Sequence, residues 1–359
     1  TIRNGNSTNS SYAGGLSVWD HRSLTINHVR FENNSNTLNQ GGALWSRYNS
    51  RLNIQSSVFN QNSTSQNGAA IFADRPWMIM NNVEFVNHSS GYDGALIRTQ
   101  GTKYWQTKKV RIANNSTSSN RLVFVEMWDL TANAVYDSWT IENNSANEEI
   151  FFLNNGTTGK QITFKNCLIA NNTAKNRPGL VFDNYKGKIN IVNSTITGNV
   201  STSSTNSYSA QLFANYPEWG ADPTINIFNS VLDASNGYAF SWYKWTDASH
   251  DFTINVENSY VKGGTTSIDV GSIGTKNYGT TNISSGLYFV DAANGDYTPS
   301  PVSLAIGAGA TTATVGGVAL TAPTTDLYGN PRPNPSGTSP DLGAIEATDS
   351  IPNVGIAAV

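Results

Sequence analysis

Residues 51–72 read RLNIQSSVFNQNSTSQNGAAIF, and this stretch carries the pattern that organises the whole chain. Leu52 and Ile54 alternate with polar Asn53 and Gln55, which is the period of a strand with one buried face. Phe59-Asn60-Gln61-Asn62 follows: an apolar residue, two polar residues, then asparagine. Gly68-Ala69-Ala70-Ile71-Phe72 then opens a second apolar run.

Each of these three pieces recurs. The middle one returns from Phe31 to Asn34, Ile112 to Asn115, Ile141 to Asn144, Ile169 to Asn172 and Ile196 to Asn199. Phe85 to His88 and Leu232 to Ser235 are altered copies. From Asn34 to Ser235, the fourth positions are separated by 28, 26, 27, 29, 28, 27 and 36 residues. Leu24-Thr25-Ile26, Ile189-Asn190-Ile191 and Ile225-Asn226-Ile227 repeat the first piece. Gly41-Gly42-Ala43-Leu44-Trp45 and Gly94-Ala95-Leu96-Ile97 repeat the third. Strands this short and regular, without two-residue turn signals between them, read as successive faces of a coil rather than hairpins.

The expected fold is therefore all-β: a right-handed single-stranded parallel β-helix of about ten coils, occupying residues 1–299. Residues 300–346 leave the rhythm and read as a C-terminal cap. Residues 347–359 read as a tail or linker to a further region. Each coil rises by one strand separation, roughly 4.8 Å, so equivalent corners stack. Asn34, Asn62, His88, Asn115, Asn144, Asn172 and Asn199 would then form a ladder of side chains satisfying turn backbone. Asparagine is common in any loop, but near-equal spacing argues for the ladder. Asn166, Asn193, Asn229 and Asn258 suggest a second ladder at the next corner. On the Gly-Gly-Ala face, Leu44, Ile71, Leu96, Phe124, Phe151 and Val181 are expected inward. Trp45, Phe72, Ile97, Val125, Phe152 and Phe182 are expected outward, and a one-residue slip would exchange the two sets.

Composition bounds the function. Charged residues make up 13% of the 359, the net charge is −3 and the pI is about 5.8, so no basic stripe is available for nucleic acid. Apolar runs are far shorter than the roughly 20 residues of a membrane span. One cysteine, Cys167, excludes an internal disulfide framework. His21, His28, His88 and His250 fall at different phases and suggest no metal site. A polar, weakly charged, asparagine-rich chain suits an extracellular or bacterial cell-surface setting.

The tryptophans carry the functional expectation. Trp19, Trp45, Trp77, Trp105, Trp128, Trp219, Trp242 and Trp245 fall in or just after the Gly-Gly-Ala strand of their coils. Together with Tyr185 they predict one aromatic edge. Such an edge would stack on the rings of an extended polysaccharide or surface glycan, meet a protein, or be folded under loops.

Catalysis would need carboxylates. Glu126 and Asp183, two coils apart, are expected roughly 9–10 Å from each other, at the upper limit for an inverting glycosidase. Asp129 is a third acid. A polysaccharide lyase would use a base such as Lys186, with Lys103, Arg98 or Ca²⁺ stabilising the anion. No cofactor is otherwise expected.

The paired Gly-Gly-Ala and Phe-x-x-Asn motifs resemble the repeats of chlamydial polymorphic outer-membrane proteins, over roughly residues 1–199. Phe289 to Tyr297 with Ile306-Gly307-Ala308-Gly309 resembles the last coil of secreted pectate-lyase-like proteins. Asp326 to Arg332 with Asp341 to Glu346 is similar to the end of choice-of-anchor surface proteins. The resemblance implies export and often surface attachment, and no single chemistry. The expected function is a monomeric, exported, glycan-binding β-helix. A polysaccharide-degrading enzyme and a protein-binding adhesin or structural rod are the alternatives.

Overall fold

The computed structural model describes residues 1–8, 12–20, 22–48, 50–90, 92–154, 156–203, 209–215, 223–234, 237–243, 252–271 and 274–347. They form a parallel β-solenoid of roughly eight turns with an antiparallel C-terminal region consistent with a cap. This architecture is consistent with the pectate-lyase-like superfamily in general.

One coil shows how the sequence builds it. Leu44–Ser46 belongs to a nine-stranded parallel sheet. Arg51–Asn60 belongs to a 17-stranded sheet and turns at Ser56, whose φ is 45°, so one sheet wraps two faces. Ser63–Thr64 closes the coil in a short ladder of its own. The next coil repeats this in register: Leu44 pairs with Ile71, Leu52 with Met78 and Phe59 with Phe85. The rings of Phe31, Phe59 and Phe85 consequently stack in the interior at 4.7 and 4.9 Å.

The corners explain the doublets. In Asn33-Asn34, Asn114-Asn115, Asn143-Asn144 and Asn171-Asn172, the first asparagine turns the chain at φ between 53° and 58°. Asparagine tolerates this left-handed conformation better than most residues. The second turns inward. Oδ1 of Asn144 accepts the backbone N–H and the Nδ2 of Asn115, both at 3.0 Å, and Asn172 treats Asn144 likewise. Each Nδ2 also donates to a carbonyl above, as Asn144 does to Ile112 at 3.0 Å. Asn34, Asn62, His88 and Asn199 continue the series.

At the next corner the inward residue is serine. The N–H groups of Cys167, Ser194 and Ser230 donate to the hydroxyls of Ser194, Ser230 and Ser259. Asn166, Asn193 and Asn229 are the turning residues, with amides on the outer side, where Asn229 Nδ2 donates to Asn193 Oδ1 at 3.3 Å as the expected ladder requires. They donate to Thr325, Asp341 and Ala310 carbonyls of the C-terminal region.

That region accordingly runs along the flank of the solenoid. Ala344 and Ile345 pack on Leu168 and Ala170, Val315 and Leu320 on Val192 and Phe228, and Leu342 on Val231 and Tyr260. Arg332, Glu346 and Asp341 are buried, with the Arg332 Nε 2.9 Å from the Glu346 carboxylate. Ile306 is buried too, whereas Leu304 is exposed. The solenoid has roughly eight turns, against the ten expected, and its parallel pairing ends at Thr275–Tyr278. Phe289–Asp291 then pairs antiparallel with Asp296–Pro299.

The nine-stranded face corrects the expected phase. Leu44, Ile71, Ile97, Val123, Phe151 and Leu180 align and enter the core. The next position, Trp45, Phe72, Arg98, Phe124, Phe152 and Val181, faces outward. Phe124 and Val181 thus move out, while Ile97, Val125 and Phe182 move in. The spacing between coils varies on this face, so a uniform repeat slips by one residue.

Candidate functional site

The corner between the nine-stranded face and the long sheet is where side chains leave the regular ladders. The chain turns there at Asp20, Tyr48, Arg75 and Gly101, all with φ between 52° and 60°. Trp128 lies on Gly101: a Cβ at that glycine would stand 2.6 Å from the indole. Only glycine lets the ring settle so close to the backbone, and the ring remains 45% exposed. Lys103 and Asp129 form an ion pair beside it at 3.5 Å.

Trp77 and Tyr104 are in register on neighbouring coils, and their rings stack at 5.5 Å and 19°. Arg51, in register on the coil before, lies 5.3 Å from the Trp77 ring. Equal strand phase enforces this column, and both rings are only half-buried. With Ser23, Thr25, Asn53 and Ile79 they line an open depression of about 440 Å³. Ile79 is 42% exposed, an unusual position for a bare aliphatic side chain. A third group joins Trp19, Trp45 and Tyr48, with the Arg47 guanidinium 4.9 Å from the Tyr48 ring.

The single aromatic edge expected from the sequence is thus confined, among the described residues, to the N-terminal coils. Trp105 has no exposed surface: it is one residue after Tyr104, and alternation sends it inward beside Tyr136 and Trp139. Trp242 enters the core and stacks on Phe252 at 3.9 Å. Tyr185 is also in the core, and Trp45 packs under Ala13 and Phe72. None of these four rings offers a ligand a free face. Trp219 and Trp245 lie outside the described residues, as do His21 and His250.

Sequence reasoning passed over Arg51 and Ile79, and placed Tyr104 beside the tryptophans without counting it among the stacking rings. Their signal was present, since each stands one position off an inward residue (Leu52, Met80 and Trp105) and must point out. It also missed the thin packed layer on the nine-stranded face. There the guanidinium groups of Arg98, Arg121 and Arg177 lie 3.7, 4.0 and 4.0 Å from the rings of Phe124, Phe152 and Phe213. Glu149 is buried between Arg121 and Arg177, and burial pushes its carboxyl above the usual range.

The carboxylates separate into different environments. Glu126, Asn154 and Asp183 align on one row, which puts the two acids two strand spacings apart, roughly 9.6 Å. Glu126 is held by Arg98 at 3.0 Å, and Asp183 also has a partner. Lys186 lies at a different place, beside Lys160 and Lys188. No group of three or more His, Cys, Asp or Glu residues suited to a metal occurs among the described residues. No helix there is long and apolar enough to cross a membrane.

Comparison of the chain with family models, curated proteins and solved structures found no match to any of them.

Proposed function

We propose that this solenoid is an exported glycan-binding protein that holds an extended polysaccharide along the corner bearing Trp77, Tyr104 and Trp128. The observation that carries the reading is the indole of Trp128, seated on Gly101 and half open to solvent. A sugar's apolar face stacks on such a ring, and the neighbouring Lys103, Asp129, Arg75 and Asn53 supply donors and acceptors for hydroxyls. A coil rise close to the length of one hexose in an extended chain suits a polymer lying along the axis.

A second reading, glycoside hydrolysis, is favoured by one observation: Glu126 and Asp183 share a row at about the widest separation an inverting pair uses. The test is incubation with a panel of neutral and acidic polysaccharides, following retention, reducing ends and unsaturated products. Retention without new ends supports binding. New reducing ends that vanish in Glu126→Gln would replace it with hydrolysis. Absence of retention on every polymer would remove the glycan reading.

A further inference from the structure

We infer that the pocket formed by Lys160, Lys186 and Lys188 is an oxyanion site that takes a carboxylate or sulfate carried by the bound glycan. This rests on the proposed glycan reading and assigns the polymer's class: it is acidic.

The pocket encloses about 240 Å³ and is completed by Gly159, Gln161, Gly187 and Thr224. Four lysines elsewhere in the chain are paired with acids, Lys103 with Asp129, Lys108 and Lys165 with Asp137, and Lys262 with Asp233, whereas Lys109, Lys175 and Lys276 have no acid partner among the described residues. The three pocket lysines have no such pairing among the described residues. Nζ of Lys160 donates to the Thr131 carbonyl at 3.1 Å, and that of Lys188 to the Gly316 carbonyl at 3.4 Å. Each ammonium keeps further donors for a ligand. The lining thus holds three lysines and no acid, in a chain of net charge −3, an arrangement that an anion would neutralise.

The pocket is also built from beneath. The hydroxyl of buried Tyr185 lies 3.4 Å from the Lys160 carbonyl and 3.5 Å from that of Lys188, holding the two lysine backbones to one floor. Gly187 brings the coils together, because a Cβ there would be 2.3 Å from the Lys160 carbonyl oxygen. Gly159, at φ 75°, has nothing within 4 Å of where its Cβ would be, which keeps the rim low. Tyr185, buried where a sugar platform was expected, acts here as a positioning residue.

Register links this pocket to the aromatic corner. Lys188 aligns with Gln161, and the continuous rows two positions further on run from Gln106 through Val135 and Thr163 to Asn190. Tyr104 and Lys188 therefore stand on one row, three coils apart, roughly 14 Å. A polymer on Trp77, Tyr104 and Trp128 reaches the lysines after about three sugar units. It ends against residues 312–321, where Gly316 meets Lys188.

The test uses the full chain with four kinds of probe at low salt. They are neutral oligosaccharides, uronic-acid and sulfated oligosaccharides of the same length, glucose 6-sulfate, and inorganic sulfate. Acidic oligosaccharides should bind at least tenfold tighter than neutral ones. Lys186→Glu should abolish that preference while leaving the neutral affinity and the melt as in the parent. The uronic and sulfated arms then identify the oxyanion. A preference that survives Lys186→Glu, or a parent with no preference, overturns the site. Inorganic sulfate binding as tightly as the sulfated sugars would also overturn it, as an adventitious ion only. If Trp128→Ala leaves oligosaccharide binding intact while glucose 6-sulfate still requires Lys186, the corner reading fails and the pocket stands.

Discussion

Oδ1 of Asn115 accepts the backbone N–H of His88 at 2.9 Å and lies 3.0 Å from Nδ1 of the same imidazole. On the other side, Nε2 faces the Nδ2 of Asn62 at 3.2 Å, and that amide nitrogen also donates to the Phe31 carbonyl. An oxygen meets Nδ1 and a donor meets Nε2, so His88 is neutral with its proton on Nδ1. Protonating Nε2 would set two donors against each other in a buried ladder. Burial, opposed by the Asn115 hydrogen bond, lowers the pKa to about 4 from 6.5. The folded state then binds fewer protons than the unfolded state between these values. Its contribution is complete above pH 6.5 and declines as pH falls towards 4, by roughly 3 kcal/mol in all. Unfolding curves across that range should show the decline, and His88→Asn, which restores the usual ladder residue, should remove it. An equally steep acid dependence in that variant would place its origin elsewhere.

Asn144→Leu should be among the more damaging corner substitutions. It strands the buried N–H of Asn115 and takes the side-chain partner from the Nδ2 of Asn115, the Ile112 carbonyl and the Asn172 Oδ1. That oxygen keeps the backbone N–H of residue 144, and the Asn115 amide keeps the Phe85 and Ala113 carbonyls. At roughly 1–3 kcal/mol for each unpaired buried group, with partial relaxation, a loss of about 3 kcal/mol is expected in denaturant unfolding. A parental midpoint would mean that water or backbone movement satisfies those groups.

Glu149 tests the outer arginine layer. Removing its carboxylate by Glu149→Ala leaves Arg177 without that partner and Arg121 with only Asp93, 2.8 Å away. Breaking a buried pair of this kind costs roughly 3–5 kcal/mol. Replacing all three residues, with Arg121→Met, Arg177→Met and Glu149→Leu, should recover most of that loss, because apolar side chains cover the phenylalanines without desolvating charge. If the triple variant is no more stable than Glu149→Ala, the layer is held by more than charge compensation.

These relationships mark how far the sequence is legible. The asparagine spacing reveals the coil because the ladder favours the same side chain at nearly every level, His88 being the exception, and that constraint survives variation elsewhere. The nine-stranded face is less legible, since Leu44, Ile71, Ile97 and Val123 align only when unequal loops are allowed. Tyr104 and Trp105 show the consequence: adjacent aromatics look equivalent in sequence, yet alternation exposes one and buries the other. Asn193 and Asn229 do bond along the stack, at 3.3 Å, but on the outer side of the corner, where they also bind the C-terminal region through contacts over 80 residues distant in sequence. Glu126 and Asp183 were placed correctly on one row, whereas Arg98, which engages Glu126, lies a coil away and gave no local sign of doing so.

Gly101 and Trp128 provide the sharpest test of the binding corner, because one residue touches ligand and the other only supports it. Trp128→Ala removes a stacking ring, which costs roughly 1–3 kcal/mol on other aromatic platforms, so affinity for a retained polysaccharide should fall by about tenfold or more. The ring is largely outside the core, and the melting temperature should change little. Gly101→Ala should act differently. Its added Cβ, 2.6 Å from the indole, must lift the ring, and the φ of 57° is strained for alanine. That variant should lose affinity and also melt lower, although it removes no group that a glycan would touch. Adding Trp128→Ala to Gly101→Ala should weaken binding little further, since both act through one ring. Additive losses would show that Gly101 and Trp128 serve binding separately. An unchanged affinity in Trp128→Ala would leave the corner without its principal platform and favour Trp77 and Tyr104 as a packed rib of a structural rod.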